Sequence, residues 1–196
     1  MTTGENAKKT GTRARRKTNG IVGRSECALV VVDVQEKLMP VIAEKESVLS
    51  NVNRLLRACQ LTDIPVVVTE QENLGCTAVD LSNESAVKAV IRKVHFNCFY
   101  NEHFSECIRN TGRKTLIVAG VEAHTCVAQT VLHALPFYDV HVVADAVSSR
   151  IAENRYIALQ RTRDAGAVIT STEMFIYEIL EKAGTDEFRA ILPLVK

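Results

Sequence analysis

Short apolar runs alternate with amphipathic stretches along this chain. The runs are rich in β-branched side chains and end in polar residues, which is typical of buried parallel strands; they cover residues 27–32, 64–69, 87–91, 116–119, 140–144 and 167–170. Between the runs, apolar side chains recur at helical spacing. Strand and helix alternate about six times, which predicts a single α/β domain with three layers, α/β/α.

The stretch Leu116–Arg150 contains the clearest unit of this pattern. Its first strand stops at Gly120, Cys126 stands at the head of a helical pattern that Pro136 closes, and a second strand follows. A strand, a helix and a strand in this order build a parallel sheet. A thiol just inside a helix N-terminus meets unpaired N–H groups and the positive end of the helix dipole, and both favour the thiolate. Cys126 is therefore the candidate nucleophile.

Three groups able to do chemistry stand at predicted strand ends. Asp33 follows the first strand, Lys93 follows the third, and Cys126 follows the fourth. Ligands of open α/β sheets bind outside the carboxyl ends of the strands, where the strand order reverses. A carboxylate there can accept the proton of the thiol, and an ammonium can hold both anions. Each residue also has a structural interpretation: a helix cap, a solvated lysine and a small core side chain.

Composition and charge set the domain boundary. The chain has 196 residues, 46% of them hydrophobic, which suits one domain with a full core. Residues 1–24 carry seven basic residues and one acidic residue, whereas the remainder carries 17 basic and 22 acidic residues. The tail lacks both the apolar residues of a folded unit and the apolar core of a secretory signal. We therefore predict a disordered basic tail over residues 1–24 and a folded domain over residues 25–196.

Several classes of partner are disfavoured by the sequence. No apolar run approaches 18 residues, so no membrane partner is expected. No glycine-rich phosphate motif follows a strand, so we predict no nucleotide cofactor and no other cofactor. We also predict no nucleic-acid partner, although a nucleic-acid or transit role for the basic tail stays open as an alternative.

The cysteines predict a reducing compartment. There are six, at positions 27, 59, 76, 98, 107 and 126, without a CxxC pair, so we expect free thiols and a cytoplasmic location. His95, Cys98, His103 and Cys107 have spacings found in zinc sites, but a core or pocket role is favoured over zinc. Asp145, with Ser148 and Ser149, predicts a cap for the helix near residues 152–165.

Six segments carry a family resemblance, in the same order and over roughly residues 25–195. They read VVVDVQEKL, TEQ with LG shortly after, IRKVHFNCF, GRKTLIVAGVEAHTCVAQT, VHVVADAVSSR and GAVITSTEMFIYEI. With these segments the chain resembles the isochorismatase-like hydrolases, and most closely the small stand-alone isochorismatase domain-containing proteins. The resemblance implies a Rossmann-like, six-stranded parallel sheet in the order 3-2-1-4-5-6. It also implies a homo-oligomer.

The same resemblance implies a set of site residues. The family's Asp, Lys and Cys triad falls on Asp33, Lys93 and Cys126. A non-proline cis peptide, here Val121–Glu122, would aim backbone N–H groups at an oxyanion. Three further residues are predicted for the substrate pocket: Gln35, His95 and Phe96. Gln35 would orient a neighbour of Asp33, whereas His95 and Phe96 come shortly after Lys93 in the sequence.

The chain departs from its resemblance at three points. Relatives often carry Thr where Ala123 stands. The nicotinamidase branch has an Asp–His–His metal site, but the equivalent residues 69–76 (TEQENLGC) offer no histidine, so we predict no metal. Cys126 argues against isochorismatase itself, whose vinyl-ether hydrolysis uses no cysteine nucleophile.

These observations together predict an enzyme. We expect a cysteine hydrolase that cleaves a small carbonyl substrate at an amide-type C–N bond through an acyl-thioester intermediate. The alternative is a catalytically quiet binding or assembly protein that retains the triad.

Overall fold

The computed structural model describes residues 20–81 and 85–195. Residues 1–19 of the basic tail lie outside this range, and so does the prediction of disorder there. The end of the tail contacts the domain: the Val22 N–H donates to Glu178 Oε2 at 2.9 Å, and Arg24 Nε donates to the Thr62 carbonyl at 2.7 Å. The predicted domain boundary at residue 25 is therefore too late, because residues 20–24 already belong to the fold.

Six parallel strands form one sheet in the order β3-β2-β1-β4-β5-β6. Their bounds are β1 Cys27–Val32, β2 Val66–Gln71, β3 Val87–Lys93, β4 Thr115–Val121, β5 Asp139–Ser148 and β6 Val168–Thr170. This arrangement confirms the predicted fold class and strand order.

Helices cover both faces of the sheet. Their bounds are α1 Lys45–Leu61, α2 Glu102–Asn110, α3 Ala128–Ala134, α4 Ala152–Asp164, α5 Thr172–Leu180 and α6 Asp186–Val195. Buried side chains of α1, α5 and α6 share one core cluster, and those of α2, α3 and α4 share the other. Within the described ranges, no helix has both the length and the apolar character needed to cross a membrane.

Strand β1 lies at the centre and separates the two cores. All six of its residues are buried. Cys27, Leu29 and Val31 belong to the core under α1, whereas Ala28, Val30 and Val32 belong to the core under α3. Alternate residues of a strand point to opposite faces, so a strand covered on both sides must be apolar throughout. The uninterrupted apolar run CALVVV is thus explained.

Strand β2 begins and ends two residues later than the sequence pattern predicts. We expected residues 64–69, which left Glu70 and Gln71 outside the strand, whereas the strand runs from Val66 to Gln71. Pro65 lacks an N–H and contributes only its carbonyl, which accepts from the Leu29 N–H at 2.9 Å. The shift places Glu70 and Gln71 at the carboxyl end of the sheet, beside the candidate site.

Asp145 caps a different helix from the one predicted. It lies inside β5, and its Oδ1 accepts from the Thr172 N–H at 2.8 Å and from the Thr172 hydroxyl at 3.0 Å, at the start of α5. The hydroxyl of Ser148, also in β5, donates to the Ala43 carbonyl. The residue at the N-cap of α4 is Ile151. The structural role predicted for Asp145 holds, but its assignment to α4 is wrong.

Helix α6 is absent from the sequence prediction. Its start carries an ordinary signal: Thr185 Oγ1 accepts from the Phe188 N–H at 3.0 Å, with Asp186 in the first turn. Ile191 is fully buried against α1 and α5. Pro193, inside the last turn, interrupts the helical pattern and hides it.

The buried His141 on β5 should make the stability of the fold sensitive to acid. It is 2% exposed, and among the described residues its Nδ1 has no hydrogen-bond partner. Burial lowers the pKa of His141, although Glu178 and Asp139 act in the opposite direction. Below about pH 6.5 the unfolded chain binds a proton that the folded protein does not. The free energy of unfolding therefore decreases as the pH is lowered, by at most about 1.4 kcal/mol per pH unit for one proton.

Urea unfolding at pH 7.5, 6.5 and 5.5 measures this effect. His141→Gln should flatten the decline between pH 6.5 and 5.5, whereas His103→Gln, at an exposed position on α2, should leave it unchanged. An equal slope in the wild type and in His141→Gln would contradict the assignment.

Candidate active site

The three predicted residues meet at the carboxyl end of the sheet. Asp33 follows β1 directly, with a left-handed backbone at φ 51°, and Lys93 is the last residue of β3. Cys126 lies in a π-helical turn, Ala123–Val127, between β4 and α3. Strands β1 and β4 are the neighbours where the strand order reverses, which is where open α/β sheets bind ligands.

Lys93 connects the other two groups. Its Nζ lies 2.7 Å from Asp33 Oδ2 and 3.7 Å from Cys126 Sγ. The second carboxylate oxygen, Asp33 Oδ1, accepts a hydrogen bond of 2.7 Å from the Thr69 hydroxyl. The side chains of Lys93 and Asp33 are 0% and 1% exposed. A buried ion pair is kept where both partners are fully hydrogen-bonded, as this one is.

The electrostatics of the cluster keep Lys93 charged and Cys126 protonated at rest. Burial alone would lower the pKa of Lys93, but Asp33 and the thiols Cys98 and Cys126 raise it above its ordinary value. Burial, and then the Asp33 carboxylate, raises the pKa of Cys126 well above that of an ordinary thiol, and Lys93 offsets this only in part. Burial and Asp33 therefore outweigh the preference for the thiolate that was expected from a helix N-terminus and from Lys93.

The local backbone explains part of that difference. Cys126 does not lie in the first turn of an α-helix, because α3 begins only at Ala128. The π-helical turn is closed by the Glu122 carbonyl, which accepts from the N–H groups of Thr125 and Val127 at 3.1 and 3.2 Å. π-helical turns are rare and occur frequently at functional sites.

The backbone before this turn approaches β1 closely. The peptide bond Val121–Glu122 is cis. Gly120, one residue earlier, has φ +116° and pairs with Val32 of β1. A Cβ at position 120 would lie 2.0 Å from the Val32 carbonyl oxygen, so only glycine fits.

A second polar cluster, which the sequence analysis missed, surrounds Glu122. Its carboxylate pairs with Arg150 Nε and lies 3.4 Å from His124 Nε2, and His124 Nδ1 lies 3.0 Å from Ser149 Oγ. The order Ser–His–Glu resembles a hydrolytic triad, but Ser149 is 0% exposed and cannot reach a substrate. The cluster instead ties the turn that carries Cys126 to the end of β5. The available signal was the polar residues within AHT and SSR, of which His124, Ser149 and Arg150 belong to the cluster.

The predicted pocket residues differ in their placement. Gln35 is fully buried, and its carboxamide bonds to the backbone of Gln71 and to the Gly75 carbonyl. It therefore orients protein backbone and does not line an open pocket, which corrects that part of the prediction. His95 and Phe96 are exposed beyond β3. Their role in the pocket stays a prediction.

The other cysteines do not form a metal site. All six cysteines are free thiols. Across residues 20–81 and 85–195, no group of three or more His, Cys, Asp or Glu side chains could hold a metal ion. Burial raises the pKa of both Cys98 and Cys126, but Cys98 is 0% exposed and Cys126 is 7% exposed, so Cys98 is the less accessible of the two thiols. A cavity of about 690 Å³, lined partly by His103 and Cys107, opens at the amino end of the sheet, away from the triad.

The fold and the Asp–Lys–Cys cluster together define an α/β protein with a cysteine at the switch point of its sheet. The family model for the isochorismatase domain matches residues 27–174. The chain belongs to the isochorismatase family, which is a family of hydrolases.

Two curated relatives cover most of the chain. The secreted isochorismatase effector Isc1 of Phytophthora sojae is 38% identical over 86% of this chain and 83% of its own length. The isochorismatase domain-containing protein 2 of Danio rerio is 34% identical over 85% of both chains.

Solved structures share the fold. One described as the MAR1 ribonuclease from Caenorhabditis elegans has a TM-score of 0.81 and 29% identity, over 89% of this chain and 92% of its own. YcaC from Pseudomonas aeruginosa, described with covalent acrylamide, has a TM-score of 0.84 and 26% identity, over 90% and 92%. YcaC from Escherichia coli, described as an octameric hydrolase of unknown specificity, has a TM-score of 0.83 and 24% identity, over 89% and 90%.

Proposed function

We propose that this protein is a cysteine hydrolase that cleaves a small carbonyl compound at an amide-type C–N bond. One observation carries the proposal: a single buried ammonium, on Lys93, contacts both the carboxylate of Asp33 and the thiol of Cys126. A nucleophile, a base and a charge-stabilising group are thereby within reach of one reacting carbonyl.

Acylation needs a base because the resting thiol is protonated. Asp33 accepts the proton of Cys126, and the sulfur attacks the carbonyl carbon to form a C–S bond. Backbone N–H groups near Glu122 and Cys126 hold the oxyanion that develops. The protonated Asp33 then returns the proton to the leaving amine as the C–N bond breaks, which leaves an acyl thioester on Cys126.

Deacylation repeats the same roles with water. Asp33 accepts a proton from a water molecule, whose oxygen attacks the thioester carbonyl. The C–S bond breaks, the carboxylic acid leaves, and the proton returns to the sulfur of Cys126. Throughout both halves, Lys93 stays charged and stabilises whichever partner is anionic.

Two comparisons bear on the substrate. The covalent acrylamide described for the Pseudomonas aeruginosa protein is consistent with a reactive nucleophile in this fold. The ribonuclease described for Caenorhabditis elegans suggests a different substrate, RNA. A triad with side chains almost fully buried suits a small molecule better than a polymer, so RNA is retained only as an arm of the experiment.

A substrate panel with intact mass spectrometry tests the function. We expect simple amides and activated esters to add one acyl group to the wild type and to Cys76→Ala. They should add none to Cys126→Ala. Cys76 is the matched control because it is an exposed free thiol. Chelator should not change the turnover. Absence of both adduct and turnover across the panel would favour the quiet binding protein, and cleavage of RNA alone would overturn the amide proposal.

We infer a homo-oligomer, supported by the octameric Escherichia coli protein and by exposed aromatic side chains such as Phe137, which is 74% exposed. Light scattering after gel filtration tests it. We infer a cytoplasmic location from the six free thiols, although one relative is named as secreted.

A further inference from the structure

The ammonium of Lys93 has a third partner, which belongs to neither the predicted triad nor the predicted pocket. Its Nζ lies 2.7 Å from Gln71 Oε1, the same distance that separates it from Asp33 Oδ2. An ammonium has three N–H donors. Asp33, Gln71 and Cys126 together account for all three, so this residue, which is 2% exposed, has no donor left for water or for substrate.

The carboxamide of Gln71 is fixed in one orientation. Its Nε2 donates to the Val94 carbonyl at 2.7 Å, so its Oε1 must face Lys93. The backbone of Gln71 is held as well, because its N–H donates to Gln35 Oε1 and its carbonyl accepts from Gln35 Nε2. Gln35 in turn bonds to the Gly75 carbonyl at 2.7 Å. A chain of amides, through the half-buried Gln71 and the fully buried Gln35, thus connects the ammonium to the loop after β2.

We propose that Gln71 is a positioning residue, whose neutral carboxamide holds the Lys93 ammonium beside Cys126 without competing with the thiolate for its positive charge. This proposal rests on the triad chemistry proposed above and adds to it the group that fixes the lysine.

The charge of the acceptor is the reason for an amide. With Asp33 ionised, Lys93 charged and Cys126 protonated, the buried cluster is neutral, and forming the thiolate takes it to a charge of −1. A carboxylate at position 71 would start the cluster at −1 and take it to −2. Like charges at short range disfavour each other's ionised forms, so the thiolate of Cys126 would become harder to form.

The pH dependence of Cys126 alkylation by iodoacetamide, followed by peptide mapping, measures this directly. For Gln71→Glu we expect the midpoint of the rise in alkylation rate with pH to move up by about one pH unit. Alkylation at pH 7.5 would then be about tenfold slower. Gln71→Met removes the acceptor but adds no anion, so its midpoint should rise by less. The control is Gln160→Glu on α4, where the carboxamide accepts from Arg163 at an exposed site, and its midpoint should equal that of the wild type.

Thermal unfolding of each variant distinguishes a positioning role of Gln71 from a purely structural one. A purely structural role would lower the melting temperature and leave the midpoint in place. The proposal is overturned if Gln71→Glu has the midpoint of Gln160→Glu, or if Gln71→Met rises as far as Gln71→Glu. If Gln71→Glu does not fold, an unchanged midpoint in Gln71→Met overturns it equally.

Alkylation requires no substrate, so this result does not depend on finding turnover. Failure of the proposed hydrolase function would appear as a missing acyl adduct in the substrate panel. Failure of the Gln71 proposal would appear as an unmoved midpoint in a protein that alkylates normally.

Discussion

Asp33→Asn should make Cys126 more reactive and the enzyme far less active. Asparagine can still accept from Lys93 through Oδ1 and meet the Thr69 hydroxyl through Nδ2. It cannot take the proton of the thiol, so hydrolysis of the best substrate in the panel should fall by about 10²–10⁴-fold. Removing the carboxylate also removes an anion that raises the pKa of Cys126, so iodoacetamide should alkylate Cys126 faster near pH 7.

Opposite changes in two rates distinguish this result from damage to the site. The matched control is Asp164→Asn, at the exposed end of α4, which should alter neither rate. If both rates fell together by the same factor, the substitution would have disordered the site. If turnover were unchanged, Asp33 would not be the base.

Lys93→Met should have the largest effect on stability. Methionine approximates the volume of the lysine stem but leaves the buried Asp33 carboxylate without its ion pair and Gln71 Oε1 without its donor. Removing one partner of a buried pair costs about 3–5 kcal/mol of unfolding free energy. Urea unfolding at pH 7.5 measures the loss.

A second lysine on the same strand supplies the comparison. Lys88 is exposed near the start of β3, so Lys88→Met should change the unfolding free energy by less than about 0.5 kcal/mol. The double variant Asp33→Asn, Lys93→Met should recover part of the loss, because it leaves no charge buried alone. A loss of under 1 kcal/mol in Lys93→Met would show that Asp33 finds another partner.

The sheet and the positions of the three chemical groups followed from local pattern. Continuous apolar runs predicted buried parallel strands, and the polar residue after each run predicted which side chains reach the carboxyl edge. Asp33, Lys93 and Cys126 lie at this edge because each stands at the end of a strand or in the turn that follows it. The family resemblance then supplied the reason to consider them together.

The remaining features depend on tertiary structure that no local pattern encodes. Pro65 shifts β2 by two residues relative to the apolar run. The pattern therefore placed Gln71 outside the strand, whereas Gln71 pairs with Lys93 in the sheet. The electrostatics of Cys126 depended on burial and on Asp33, both of which are tertiary properties. The partners of Glu122 come from the same turn and from the end of β5, whose extension to Ser148 the apolar run did not predict.

Gly120 sets a limit on how this site can vary. It contributes no chemistry, yet any side chain there would displace Val32, and with it the backbone that carries Asp33. In a saturation library selected for activity, position 120 should therefore tolerate as few substitutions as the triad itself. Intolerance at this position would report the spacing between two backbones, so mutational sensitivity alone is a poor guide to which residues of this fold touch the substrate.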